Sequence, residues 1–298
     1  MPRTLAIATF GLLIFGCRHA SCAEQSASTR FAPTAARATG IPHATDRPWP
    51  SWLIRGQAGE EPLVTDRPDF TESSSTVGLR RLQIESGYTY LRDASAGVTT
   101  DGHLLPELLL RYGVSDDFEL RVFWAGYAFE KERDAATRSS RQGSSDVAFG
   151  FKRDLLSQDG WTPEAAAIAS VSLPCGHDDF GSPQADTELR LAYGWEINDW
   201  LSVGANTGAG FGAPEGVYRS TFLQSIAAGV VLTDRLGMYH EWIGLMHRGA
   251  DDSRPEHYYN GGLTFLLSPN LQLDWRAGVG LTKSAGDFFT GAGCSVRW

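Results

Sequence analysis

Acidic and basic residues recur two apart along this chain: Glu119 with Arg121, Glu188 with Arg190, Asp274 with Arg276. Glu107 and Arg111 stand four apart, and Glu85, Asp146 and Lys152 fall on neighbouring segments of the same texture. Even spacing places both members of a pair on one face of a β-strand. Charges on a covered face persist only if they are paired or meet water. A lattice of mutual salt bridges would hold the shape of a closed sheet. Mixed charges lining a polar conduit would instead tune what passes through it. The two roles are compatible.

Catalytic chemistry finds less support. His43, His103, His177, His240, His247 and His257 fall mostly in loops, at strand ends or in the N-terminal stretch, where a solvated imidazole is the default. His240 and Glu241 are adjacent, so a strand points them to opposite faces and they form no dyad. A lipid hydrolase would need a serine partner for His240, and none is identifiable. His177-Asp178-Asp179 is better explained as a solvated acidic loop than as a cation site. No phosphate-cradling glycine motif or nucleophile elbow occurs. The expectation is therefore no enzyme, no cofactor and no metal.

The elements that would position the charges are strands. From residue 78 onward, apolar and polar residues alternate, as in Leu271, Leu273, Trp275, Ala277 and Val279 against Gln272, Asp274, Arg276, Gly278 and Gly280. This period predicts strands at 79–91, 103–113, 118–128, 145–156, 163–174, 186–197, 200–211, 218–232, 235–245, 257–267, 271–281 and 288–298. Every second connection is tight and polar, at Asp116, Asp159, Asp199, Asp234 and Asn270. The intervening ones, 92–102, 129–144, 175–185, 212–217, 246–256 and 282–287, are expected to be longer loops.

Short turns at one end and long loops at the other suit a barrel threaded through a membrane. Strands of about 10 to 12 residues suit a tilted crossing better than a soluble sandwich, whose strands average about 5 or 6. Counting back from Trp298 places Val296, Cys294, Ala292, Thr290 and Phe288 on one face, and Arg297, Ser295, Gly293 and Gly291 on the other, with Phe289 the exception. The fold expected over residues 78–298 is an all-β, transmembrane, antiparallel up-and-down barrel of about twelve strands. Outer-membrane lipid would surround it, and Trp298 would be its handle for the barrel assembly machinery.

Bulk properties agree. Thirty-three glycines, nine tryptophans and nine tyrosines favour β-structure with aromatic girdles. A mean hydropathy of −0.22 is compatible with a barrel, whose lipid-facing residues alternate with polar ones. Beyond residue 25 no apolar run nears the ~18 residues of a membrane helix. Arg3, the apolar stretch Leu5 to Phe15 and Ser21-Cys22-Ala23 form a secretory signal over residues 1–23, cut after Ala23. A lipidated Cys17 is the alternative. Removing Arg3 and Arg18 takes the formal charge from −9 to −11, which excludes nucleic acid as a partner. Cys175 and Cys294 remain, too few for a disulfide framework.

Residues 24–77 are expected to form a periplasmic lead-in, largely disordered or a partial plug, of which 24–60 are rich in Ser, Ala, Thr, Pro and Gly. Thr45-Asp46-Arg47-Pro48 within it is echoed by Thr65-Asp66-Arg67-Pro68. Twelve strands fall between a filled eight-stranded barrel and an open sixteen-stranded one, so a narrow or partly plugged lumen is expected. Inward glycines such as Gly204, Gly208, Gly262, Gly278, Gly280, Gly291 and Gly293 would admit an inserted segment. Asp66, Arg67, Asp69 and Glu72 could pair with lumen charges while Phe70 wedges in.

The stretches Thr65-Asp66-Arg67-Pro68-Asp69-Phe70-Thr71-Glu72-Ser73 and Gln83-Ile84-Glu85-Ser86-Gly87-Tyr88 resemble the opening of a bacterial barrel family named for the meta-pathway of phenol degradation. Pro106-Glu107-Leu108-Leu109-Leu110-Arg111-Tyr112-Gly113, Glu119-Leu120-Arg121, Ser172-Leu173-Pro174 and Gln272-Leu273-Asp274-Trp275-Arg276-Ala277-Gly278-Val279-Gly280 extend the likeness over about residues 63–298. Cys175 departs from the threonine more usual after Leu-Pro. The resemblance implies an outer-membrane transporter of Gram-negative-type bacteria, and its name implies aromatic solutes. The expected function is passive uptake of small solutes, aromatic or otherwise hydrophobic ones among them. The alternative is a structural or adhesion barrel with a closed lumen and partner-binding loops.

Overall fold

A computed structural model describes residues 61–95, 97–212, 219–249 and 254–298. The signal segment with Cys17 and Ala23, the lead-in up to residue 60 and the first Thr-Asp-Arg-Pro copy lie outside the described residues. The strands are β1 (Leu82–Ser95), β2 (Val98–Ser115), β3 (Phe118–Trp124), β4 (Tyr127–Arg133), β5 (Arg138–Ser144), β6 (Val147–Leu156) and β7 (Glu164–Leu173). They continue as β8 (Asp186–Asn198), β9 (Leu201–Gly212), β10 (Arg219–Val231), β11 (Leu236–Arg248), β12 (Glu256–Ser268), β13 (Leu271–Gly280) and β14 (Phe288–Arg297).

Strands β3 and β4 pair with successive halves of β2, while β5 pairs with β4 and β6 with β3. Each couple is thus one crossing interrupted by a kink, and the fourteen segments make a closed antiparallel barrel of twelve strands. Closure runs from Gln83 opposite Arg297 to Arg92 opposite Phe288, with β1 also paired to β2. Trp298 and Leu82 exchange backbone hydrogen bonds of 2.9 and 3.1 Å at the seam.

The kinks lie side by side. Gly126 has φ +96°, and a Cβ there would lie 2.4 Å from the Pro106 carbonyl oxygen, so only glycine fits where β3 turns into β4. Pro106, which cannot donate to a ladder, occupies the bulge in β2 opposite. Two expectations need correction here. Residues 92–102 and 129–144 are chiefly strand, because β1, β2, β4 and β5 extend as hairpins above the rest of the wall. Their ladder bonds do not depend on side-chain type. The polar run from Glu130 to Ser144 therefore carries no apolar alternation to betray it.

Alternation sorts the two faces. On β8, Leu189 and Leu191 are 59% and 42% exposed, whereas Glu188, Arg190 and Ala192 are buried. The outward face elsewhere carries Leu120, Phe149, Phe222, Ile226, Leu263 and Trp275. A water-soluble sheet would bury these residues and expose the charges. This inversion is the arrangement lipid requires, since apolar side chains meet hydrocarbon and polar ones turn inward. Cys294 lies on the outward face opposite Ser86, Cys175 is exposed in the loop after β7, and both are free. Leu191→Arg, on the lipid face, should lower folding stability in liposomes by about 2–4 kcal/mol. Urea unfolding followed by the gel mobility of unheated samples measures this.

Candidate functional site: a charged lumen and the segment inside it

Residues 63–77 touch nearly every crossing of the barrel, which is geometrically possible only from within the cylinder. The Leu63 amide donates to the Pro269 carbonyl in the β12–β13 turn (2.7 Å), and Thr76 Oγ1 donates to the Asp116 carbonyl in the β2–β3 turn (2.8 Å). Entry and exit therefore share the rim formed by the tight turns, the periplasmic rim. The segment leaves through Val77 and Gly78, whose φ of +84° helps turn the chain into β1.

The polar groups of this segment match the wall in sign. Asp66, fully buried, meets Lys152 Nζ at 2.9 Å, Arg121 at 3.0 Å and Arg111 at 3.3 Å. Burial would raise its carboxyl pKa, but Arg111, Lys152 and Arg121 together hold it well below the usual carboxylate range. Ser73 donates to the same carboxylate through its amide and hydroxyl. Next in sequence, Arg67 points the other way, to Glu107 and to Asp274 (3.3 Å). Glu72 meets Arg121 at 2.5 Å and Arg190 at 3.4 Å. Asp69 is buried near Tyr239.

Backbone groups are satisfied by the wall as well. The Asp66 amide donates to Glu85, the Phe70 amide to Glu241, the Glu72 amide to Asn206 Oδ1 and the Val77 amide to Glu119. Arg276 donates to the Pro68 carbonyl and Arg190 to the Phe70 carbonyl. An irregular backbone with its hydrogen bonds so answered can lie at membrane depth without cost to its polar groups. Glycines make room for Arg67: a Cβ on Gly87 would lie 2.3 Å from its guanidinium carbon, and one on Gly293 would lie 2.6 Å from its Nε.

Above this polar layer an apolar cluster fills part of the interior, with Glu130, Asp186, Thr221 and Glu256 also buried on that side. Phe70 sits at the boundary, 5.5 Å edge-to-face from Phe289 with the Arg276 guanidinium 4.8 Å over its ring. Around and beyond it pack Leu91, Leu104, Leu223, Ile243, Leu245 and Tyr258 from the strands. Phe180 and Ala285 join them from the loops after β7 and β13. Asp146, at the kink between β5 and β6, accepts from the amides of Cys175, Gly176 and Ser182 and so folds the Phe180 loop inward.

All eleven charges expected to face the lumen are buried: Glu85, Glu107, Arg111, Glu119, Arg121, Asp146, Lys152, Glu188, Arg190, Asp274 and Arg276. Their pairing differs from the even-spaced couples. Glu188 and Arg190 do meet, at 2.7 Å. Glu119 instead pairs chiefly with Arg111 at 2.9 Å, Asp274 with Arg67, and Arg276 with Glu107 at 3.3 Å. Glu119 stands opposite Gly113 and reaches Arg111 on the diagonal, whereas Arg276 and Glu107 lie on strands separated by β14 and β1 and meet inside the barrel.

Asn206, Ser225, Glu241, Gln83 and Gln272 also bind the segment and carry no charge-pair signature. Asn206 was recoverable from register, because it shares a face with Gly204 and Gly208. His240 faces outward with its Nδ1 2.6 Å from the Tyr259 hydroxyl, while Glu241 turns inward. Arg67→Ala would leave Glu107 and Asp274 short of a cation, a loss of about 3–5 kcal/mol for a buried pair. Amide hydrogen exchange should show residues 63–77 protected in the native protein and exposed in this variant while the strands stay protected.

Solved structures align over most of the chain. The translocator domain of autotransporter NalP from Neisseria meningitidis aligns with a TM-score of 0.50 at 10% identity, over 73% of this chain and 88% of that one. The NanC porin aligns at 0.46 and 8% identity, over 72% and 98%. The transport unit of the autotransporter AIDA-I from Escherichia coli aligns at 0.46 and 11%, over 73% and 89%. No curated protein matches the sequence. The fold and its inverted faces place the protein in the outer membrane of a Gram-negative bacterium. A family model described as "Putative MetA-pathway of phenol degradation" matches residues 65–298, from within the inserted segment to the last strand, and the chain belongs to that family.

Proposed function

We propose that the barrel is a gated passive transporter for small hydrophobic solutes, aromatic ones among them, held closed by residues 63–77. The observation that carries this is the apolar cluster inside the lumen, packed on the outer side of a charge-latched segment that enters from the periplasmic rim. A wide water-filled pore would have no use for Leu91, Leu223, Ile243 and Leu245 on its inner wall. An apolar solute that reaches them from outside next meets the Phe70 ring.

Burying a phenylalanine side chain is worth about 1.5–3 kcal/mol. A planar aromatic solute that took the slot of Phe70 would recover a similar amount, so it could displace the ring at little net cost. Once water follows, Asp66 and Arg67 and their wall partners exchange one another for solvent. That exchange is close to neutral for ion pairs, unlike the loss of a single partner. A carrier of polar solutes would offer no such competition.

The extent of the lumen packing also favours a second function, a structural or adhesion barrel that never opens. Planar bilayers separate the two. Native protein should be closed most of the time, and deletion of residues 61–73 should give frequent, larger conductance steps. A deletion variant that inserts, stays folded and gives no steps would support the sealed barrel. Solute class is tested in liposomes: the deletion variant should pass phenols at least tenfold faster, relative to protein-free controls, than sugars of similar mass. Equal enhancement would remove the hydrophobic preference.

A further inference from the structure

We propose that the outer face of β1, β2, β4 and β5 is a docking site for the phosphate groups of the phosphorylated glycolipid that forms the outer leaflet. Facing is settled by alternation. Leu91, Leu104, Ala128 and Glu130 are buried inside the barrel, so Tyr90, Arg92, His103, Phe129, Lys131 and Arg133 point away from it.

Height follows from strand geometry. At about 3.3 Å per residue and a tilt near 40°, each residue climbs roughly 2.5 Å along the barrel axis. Lipid-facing Leu120 and Phe129 are thus about 23 Å apart along that axis, close to the ~25 Å apolar band of such barrels. Tyr127 and Phe129, whose rings lie 5.0 Å apart, mark its upper edge together with Tyr88 and His103. Lys131 and Arg133 stand about 5 to 10 Å higher by the same geometry, at the level of lipid headgroups rather than acyl chains.

Basic groups predominate at that level. Arg92, Lys131, Arg133 and Arg138 converge there, against Asp101 as the outward carboxylate among them. Asp101 is engaged by Arg133 and by the Tyr90 hydroxyl at 2.6 Å, which fixes both side chains. Among the described residues, Lys131 and Arg138 have no carboxylate within ion-pair distance, and both are exposed. Lys131, Arg133 and Arg138 line an open recess of about 540 Å³ together with Tyr90, Asp101 and Glu132, whose carboxylate lies 3.7 Å from Arg141. Guanidinium and ammonium donors around such a recess suit a phosphate, which accepts several charge-assisted hydrogen bonds at once. The aromatic shelf below suits the sugar and upper acyl chains.

The test uses full-length protein in detergent, with bis-phosphorylated lipid A and the same lipid stripped of phosphate as probes in native mass spectrometry. The native protein should retain the phosphorylated lipid at least tenfold better. Lys131→Glu combined with Arg138→Glu, checked for folding by gel mobility, should reduce retention to that of the stripped lipid. Equal retention of the two lipids, or undiminished retention by the double variant, would overturn the site. Inorganic pyrophosphate at matched phosphate concentration should displace less than a tenth of the lipid. Displacement as efficient as by lipid A itself would show a simple anion site and overturn the lipid assignment.

Discussion

The carboxylate of Asp66 brings Arg111, Arg121 and Lys152 into one dry cluster on the walls of β2, β3 and β6. Three cations at such distances would repel one another by several kcal/mol in a medium of reduced polarity. Glu85 and Glu119 supply only part of the compensation from the wall itself. Asp66 and Glu72 supply the rest from the inserted segment, and Arg67 returns the favour to Glu107 and Asp274. Segment and wall are therefore one electrostatic object. The glycines at 87 and 293, the amide acceptors Glu241 and Asn206 and the turn at Gly78 all follow from the need to seat that segment.

In the proposed gate, that same dependence makes the closure reversible. Removing one charge strands its partners in a water-poor interior, whereas withdrawing the whole segment admits water to all of them together. The first change is expensive and the second is nearly balanced, so substitution and movement have opposite consequences. The apolar cluster of the proposed gate would decide what can trigger the movement. Phe70 is held by contact with Phe289 and Arg276, interactions that an aromatic solute can imitate and a sugar cannot.

Much of this was legible in the residues before any geometry. Period-two alternation together with the tight polar turns located the twelve crossings, although 163–174 and 235–245 alternate too weakly to assign their faces. The extracellular hairpin built from β4 and β5 was missed, since above the membrane neither face needs to be apolar. The even spacing of the acid–base couples puts both members on one face but does not give their partners. Glu119 and Asp274 chose neighbours across strands or on the inserted segment, a choice set by register and by the path of residues 63–77. Neutral partners such as Asn206 and Ser225 left no mark beyond their place in the alternation.

The most direct test fixes the segment in place. Thr71 Oγ1 lies 2.8 Å from Ser225 Oγ of β10, close enough for a crosslink between Thr71→Cys and Ser225→Cys in a background with Cys175→Ser and Cys294→Ser. Uptake of a labelled aromatic hydrocarbon by cells carrying this variant is measured before and after reduction. If the segment is the gate, the oxidised protein should transport at the level of cells lacking the barrel, and a reductant should restore transport to that of the cysteine-free parent. Undiminished uptake by fully oxidised protein would contradict it.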